Sequence, residues 1–141
     1  MNTIRLGVAA LALALAGCAH HAHMARKPSV DKYKPDVTVA GGEIDAPESL
    51  YFRKGEKGVI TWHLKAKDYR FATDGIVFQS NAAGEIVNCG RAKDNDKLFS
   101  CDNLHRKEGQ GFFYKYAIKV EPNPGSGAPA VPVLDPFVLN D

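Results

Sequence analysis

Cysteine and histidine are the side chains here whose types and spacing can do chemistry. The chain has three cysteines, Cys18, Cys89 and Cys101, and five histidines, His20, His21, His23, His63 and His105. His20, His21 and His23 crowd together, and neutral imidazoles this close bind a divalent metal such as copper or zinc weakly. Met24 beside them is a soft extra ligand for copper. The plainer account is a polar linker that happens to be His-rich. A sharper arrangement runs His63, Cys101, His105, Gln110. Blue-copper centres take an upstream His, then Cys, His and a weak axial ligand close together, so the order fits. Three features oppose it. His63 alternates away from Trp62, Cys89 would be left as an odd thiol, and the 105–110 segment is charged where such a centre needs an apolar cap.

Other chemistries find less support. Ser49, Ser80, Ser100 and Ser126 lie in no G-x-S-x-G context. Asp94-x-Asp96 hints at calcium but lacks the glycine and terminal Glu of an EF-hand loop, so a charged solvated turn is the better reading. Asp68, Asp74 and Glu85 are carboxylates that nothing in the sequence brings together as an acid/base pair. No phosphate-cradling loop or dinucleotide fingerprint is present. The sequence therefore predicts no enzyme.

The elements that must position these residues divide into three. Residues 1–17 open with Arg5 and continue in an uncharged run, Leu6 to Ala16. That run has the length of a signal-peptide core and is too short to span a bilayer as a helix, which takes about 20 apolar residues. It ends in Leu15-Ala16-Gly17-Cys18, which resembles the lipobox of bacterial lipoprotein precursors. The resemblance implies cleavage before Cys18, a thioether-linked diacylglycerol on its sulfur and a further acyl chain on the freed amine. Two or more chains hold a membrane stably where one does not. Ala19 rather than Asp after the lipidated residue resembles the outer-membrane sorting signal of enterobacterial lipoproteins. The implied address is the bacterial outer membrane, facing the periplasm.

That address sets the expectation for the other two cysteines. An exported compartment is oxidising, and Cys89 and Cys101, 101 − 89 = 12 positions apart on adjacent candidate strands, are expected to form a disulfide. Closing a loop of this size is worth about 3 kcal/mol in the chain-entropy model. The charged stretch Gly90 to Lys97 reads as a clipped loop. Residues 18–36, the lipidated Cys and a proline-punctuated polar segment, read as a flexible tether whose Arg26, Lys27, Lys32 and Lys34 can lie against anionic lipid.

Residues 37–141 read as one β domain. The chain is 141 residues long, with 13 Gly and 8 Pro, so turns are frequent and long helices are not expected. Lys and Arg number 18 against 16 Asp and Glu; removing Arg5 with the leader leaves 17 − 16 = +1, too balanced to argue for nucleic acid or an acidic substrate, and no nucleic-acid partner is expected. Candidate strands are 37–39, 50–52, 59–64, 69–71, 76–79, 86–89 and 98–101, with a long one at 112–120. In 59–64, Ile60, Trp62 and Leu64 share one face. In 112–120, Phe112, Tyr114, Tyr116, Ile118 and Val120 alternate with Phe113, Lys115, Ala117 and Lys119. Asp74-Gly75 reads as a turn. The prolines of 131–139 place that segment at a sheet edge or make it irregular.

Eight or so short strands at this spacing predict an all-β antiparallel sandwich. Trp62 on an early strand and Tyr114-x-Tyr116 on the penultimate long one resemble the immunoglobulin-like pattern, and the His-Cys-His order is similar to that of cupredoxins, which are also sandwiches. Residues 59–141 further resemble a group of small proteobacterial β-sandwich proteins, a likeness that implies fold and no activity. The functional expectation is a lipid-anchored envelope protein whose sandwich is a binding module for an envelope protein partner. It needs no cofactor beyond the lipid on Cys18. The alternatives are metal binding through His20, His21 and His23 or a cupredoxin-like site, and an immunity or inhibitor lipoprotein.

Overall fold

The computed structural model describes residues 30–107 and 111–141. Among the described residues the regular elements are nine strands and one 3-10 turn. The strands are β1 (Asp36–Ala40), β2 (Glu43–Asp45), β3 (Ser49–Phe52), β4 (Gly58–Leu64), β5 (Tyr69–Phe78), β6 (Ile86–Ala92), β7 (Asn95–Asn103), β8 (Phe112–Pro122) and β9 (Phe137–Asn140), with the turn at Ser80–Ala82. They form two sheets, ordered β2-β1-β4-β7-β6 and β3-β9-β8-β5, packed as an all-β sandwich.

Period-two alternation decides which side chains fill the space between the sheets. Ile60, Trp62 and Leu64 of β4 and Phe99 and Cys101 of β7 point in from one side. Phe71 and Ile76 of β5, Tyr114, Tyr116 and Ile118 of β8, Leu50 and Phe52 of β3 and Val138 of β9 point in from the other. Rings meet across the layer: Trp62 and Tyr116 at 5.4 Å, Phe71 and Phe99 at 5.8 Å, both edge-on. Trp62 Nε1 donates to the Tyr116 hydroxyl at 3.3 Å, so the polar handle of each ring is satisfied inside the core. Burial pushes the Tyr116 hydroxyl far above its ordinary pKa and keeps it protonated.

One polar link also joins the sheets. Asn103 at the end of β7 and Asn140 at the end of β9 are each 1% exposed. Their amides are reciprocal: Asn103 Nδ2 donates to Asn140 Oδ1 at 2.8 Å, and Asn140 Nδ2 donates to Asn103 Oδ1 at 2.9 Å. Buried amides persist because each partner answers the other's donor and acceptor.

Taking β1, β4, β5, β6, β7, β8 and β9 as strands A to G gives sheets A-B-E-D and C-F-G, the strand order of an immunoglobulin constant-type domain. The sheets are mixed rather than antiparallel throughout, because β1 runs parallel to β4 and β3 runs parallel to β9. In each case the chain's early strands add to the outside of an otherwise antiparallel sheet. The disulfide also departs from that family's pattern. It joins neighbouring strands of one sheet, β6 and β7, instead of bridging the two sheets.

Several boundaries differ from the sequence expectation. Residues 31–35, read as the end of the tether, pack on the domain. The Tyr33 carbonyl accepts from Thr61 N at 2.8 Å, Pro35 O accepts from His63 N at 3.0 Å, and the Tyr33 ring meets Phe52 edge-on at 5.3 Å. Segments 69–71 and 76–78 are one strand, with Asp74-Gly75 inside an irregularity between Phe71 and Ile76. Glycine is needed there because a Cβ would lie 2.9 Å from the Ala72 carbonyl oxygen. The charged stretch 90–97 is a hairpin, not a loop, since Ala92 pairs with Asn95 and only Lys93-Asp94 turn. Finally, β9 lies inside its sheet, and the prolines at 132 and 136 fall in the irregular run before it.

Candidate functional site

The outward phase of β8 departs from simple polarity. Tyr114, Tyr116 and Ile118 face the core, so Phe113, Lys115, Ala117 and Lys119 face out. Registry places Phe113 beside Leu139 of β9, and Leu139 beside Tyr51 of β3. Two residues along, Lys115 lies beside Phe137, and Phe137 beside Ser49. Phe113 is 60% exposed and Tyr51 43%. The Phe113 and Phe137 rings lie 5.5 Å apart. Gly111 leaves room for Leu139, whose Cδ1 would be 2.9 Å from a Cβ there. The result is an apolar row, Tyr51–Leu139–Phe113, with Phe137 beside it. Single exposed apolar side chains are ordinary, but a contiguous set is a mark of a binding surface.

Polar groups frame this row. The Tyr51 hydroxyl donates to Asp141 Oδ2 at 2.7 Å, and that hydrogen bond holds its pKa above the usual phenol range. Towards β5 the face continues as a shallow groove of about 310 Å³ lined by Val77, Gln79, Lys115, Ala117 and Asp135 among others. Lys119 pairs with Asp74 at 2.6 Å and holds that carboxyl below its ordinary pKa.

The end of the sandwich next to the row carries a cluster of cations interleaved with Asp31, Asp102 and Asp141. The β3–β4 turn carries Arg53, Lys54 and Lys57, and the chain after β7 carries Arg106 and Lys107 at the same end. The carboxylates among them are engaged. Glu56 accepts from Lys32 Nζ and from Arg53 N, and the lysine contact in particular lowers its pKa. Glu85, only 3% exposed, accepts from the backbone N–H groups of Arg106 and Lys107 at 2.8 and 3.2 Å. A buried carboxylate thus fixes the backbone of two exposed cations. Burial, and secondarily the Glu85 charge, raise the pKa of Tyr114.

The residues singled out by sequence fare differently. Cys18, His20, His21, His23, Met24 and Gln110 lie outside the described residues. Cys89 and Cys101 are joined as a disulfide. Asn88 (φ 53°) and Cys89 bulge out of β6 to oppose the single residue Cys101, and asparagine tolerates that left-handed backbone better than most residues. The cupredoxin-like arrangement is not formed. The Cys101 sulfur is spent in the disulfide and points inward opposite Ile60, whereas His63 pairs with Leu98 further along β4 and faces out. His105 turns away to place Nδ1 2.7 Å from the Glu56 carbonyl oxygen. Among the described residues, no group of three or more His, Cys, Asp or Glu is placed to hold a metal.

Two cations of the 90–97 hairpin, Arg91 and Lys97, are committed to structure. Arg91 donates to Phe71 O at 2.9 Å, and Lys97 Nζ donates to the carbonyls of Ala66, Lys67 and Tyr69. They tie the hairpin to β5 and the β4–β5 turn, so this stretch is braced rather than presented. Of the carboxylates singled out by sequence, Asp74 pairs with Lys119 and Glu85 holds backbone N–H groups. The apolar row was missed by sequence reasoning, although the signal was there: Phe113 falls in the same phase as Lys115 and Lys119, where a solvated face should be polar.

No protein-family model matches this chain, and no curated protein matches it. No helix among the described residues is long and apolar enough to cross a membrane.

Proposed function

We propose that the chain is a lipid-anchored envelope protein whose sandwich is a binding module, with the outer face of the β3-β9-β8-β5 sheet as its contact surface. The observation that carries the reading is the contiguous Tyr51–Leu139–Phe113 row, with Phe137 beside it, on the exposed face of the sheet. Residues 1–17 serve as the leader and Cys18 carries the lipid, as the Leu15-Ala16-Gly17-Cys18 ending supports. The address is the outer membrane, facing the periplasm, and the partner is an envelope component. No reaction is assigned.

The experiment has two arms. Cells fed an alkyne fatty acid should label the wild-type protein, and Cys18→Ser should lose both the label and membrane fractionation. A photo-crosslinking residue at position 113 should capture an envelope component, while one at position 59 on the opposite sheet should not. Equal capture from both positions removes the face from the proposal, and a labelled Cys18→Ser protein removes the anchor.

A further inference from the structure

The chain enters the domain at the end of the sandwich that carries the apolar row. Tyr33 packs edge-on against Phe52, which points into the core on the opposite side of β3 from Tyr51, and the Lys32 ammonium lies 5.3 Å from the Phe52 ring centroid. Cys18 and Val30 are 30 − 18 = 12 residues apart, which span at most about 43 Å fully extended. A lipid on Cys18 therefore keeps the start of the described chain within that distance of the bilayer. The same end of the sandwich carries Arg53, Lys57, Arg106 and Lys107, whose nearby carboxylates Glu56 and Glu85 are engaged in the structure. Aromatic side chains next to cations suit the boundary between lipid headgroups and acyl chains, where Trp and Tyr collect and Lys and Arg meet anionic headgroups.

We propose that the Tyr51–Leu139–Phe113 row docks onto the anionic bilayer surface that anchors the chain. This rests on the function proposed above and names the partner of that face. A second copy suits it less well, because a stable protein interface takes about 20 residues or more on each side, and this row is narrow. Anchoring keeps the face at high local concentration near lipid, so a small contact area suffices. Docked in this way, the sandwich lies with the β2-β1-β4-β7-β6 sheet away from the membrane.

The test uses the mature lipidated protein in vesicles of phosphatidylethanolamine with a minority of phosphatidylglycerol, the latter brominated near the headgroup. The wild type has a single tryptophan, Trp62, fully buried, and its emission should not change. In Phe113→Trp the introduced indole should be quenched about twofold and blue-shifted, as expected at a membrane interface. Arg53→Glu combined with Lys57→Glu should remove most of that quenching, as should replacing phosphatidylglycerol by a zwitterionic lipid brominated at the same position. A solvent-like, unquenched Phe113→Trp spectrum overturns the proposal. So does a blue shift that depends on protein concentration rather than on bromine, which would make the occupant a second copy. Acyl labelling at Cys18 is read on the same sample. Label without quenching removes the docking and keeps the anchor. Quenching without label keeps the docking and removes the anchor.

Discussion

Replacing Asn103 by leucine tests the cross-sheet amide pair. Leucine is close to asparagine in shape, so the change removes hydrogen bonding while leaving little cavity. Asn140, 1% exposed, would lose both its donor and its acceptor partner, and His105 N would lose the Asn103 Oδ1 that accepts from it at 3.2 Å. Stranding a buried polar group costs about 1–3 kcal/mol, so two on Asn140 give an expected loss of about 2–5 kcal/mol. Asn140→Leu should cost less, about 1–3 kcal/mol, because Asn103 Oδ1 keeps the His105 N–H and only its Nδ2 is stranded. The double variant leaves neither amide behind, strands only the half-buried His105 N–H, and should recover to within about 1–2 kcal/mol of the wild type. Urea unfolding followed by Trp62 fluorescence reads all four proteins, since this one tryptophan is fully buried between the sheets. The expected signature is strong coupling in the double-mutant cycle. Single-variant losses that simply add, within about 0.5 kcal/mol, would refute the account of two amides satisfying each other.

Two further outcomes follow from the structure. Removing the disulfide as Cys89→Ala with Cys101→Ala should cost about 3 kcal/mol, the chain entropy released by opening a loop of 12 positions; a loss under about 1 kcal/mol in the same urea assay would show that the hairpin's pairing already restrains the unfolded chain. Glu56 and Asp74 are both held below their ordinary values of 4.5 and 3.8, by Lys32 and Lys119. A lowered folded-state pKa means stability that is fully present above those ordinary values and lost as pH falls through the lowered ones. Thermal melts should therefore weaken in that acid window, and Lys32→Met with Lys119→Met should flatten the dependence there; an unchanged pH slope would dissociate these pairs from stability.

The fold was legible where the period-two pattern was strong. Ile60-x-Trp62-x-Leu64 and Tyr114-x-Tyr116-x-Ile118 face each other across the core as their alternation required. Pattern alone failed where backbone details intervene. Asp74-Gly75 has the chemistry of a turn, but the hydrogen-bonded partner β8 runs alongside both halves of β5 and makes one bulged strand of them. Lys93-Asp94 was hidden in a charged run because a two-residue hairpin needs no hydrophobic punctuation. The strand β2, only Glu43–Asp45, is too short for any periodic signal and exists because β1 offers it an edge.

The polar interior was illegible for a different reason. Asn103 and Asn140 are 37 positions apart, and an asparagine reads locally as a turn or surface residue. Only the packing of β7 against β9 makes each the other's sole sensible partner. Glu85 is similar: it looks like a surface acid until its oxygen is seen to hold the backbone of Arg106 and Lys107. The apolar row stands between these cases. Phe113 was visible as an aromatic in a polar phase, but its significance needed three strands in register to put Leu139 and Tyr51 beside it. A buried aromatic is accounted for by the core, whereas an exposed one lined up with two others is left with apolar surface in water. That residual surface, at the end of the sandwich where the N-terminal chain enters, is what the proposed docking onto lipid would cover.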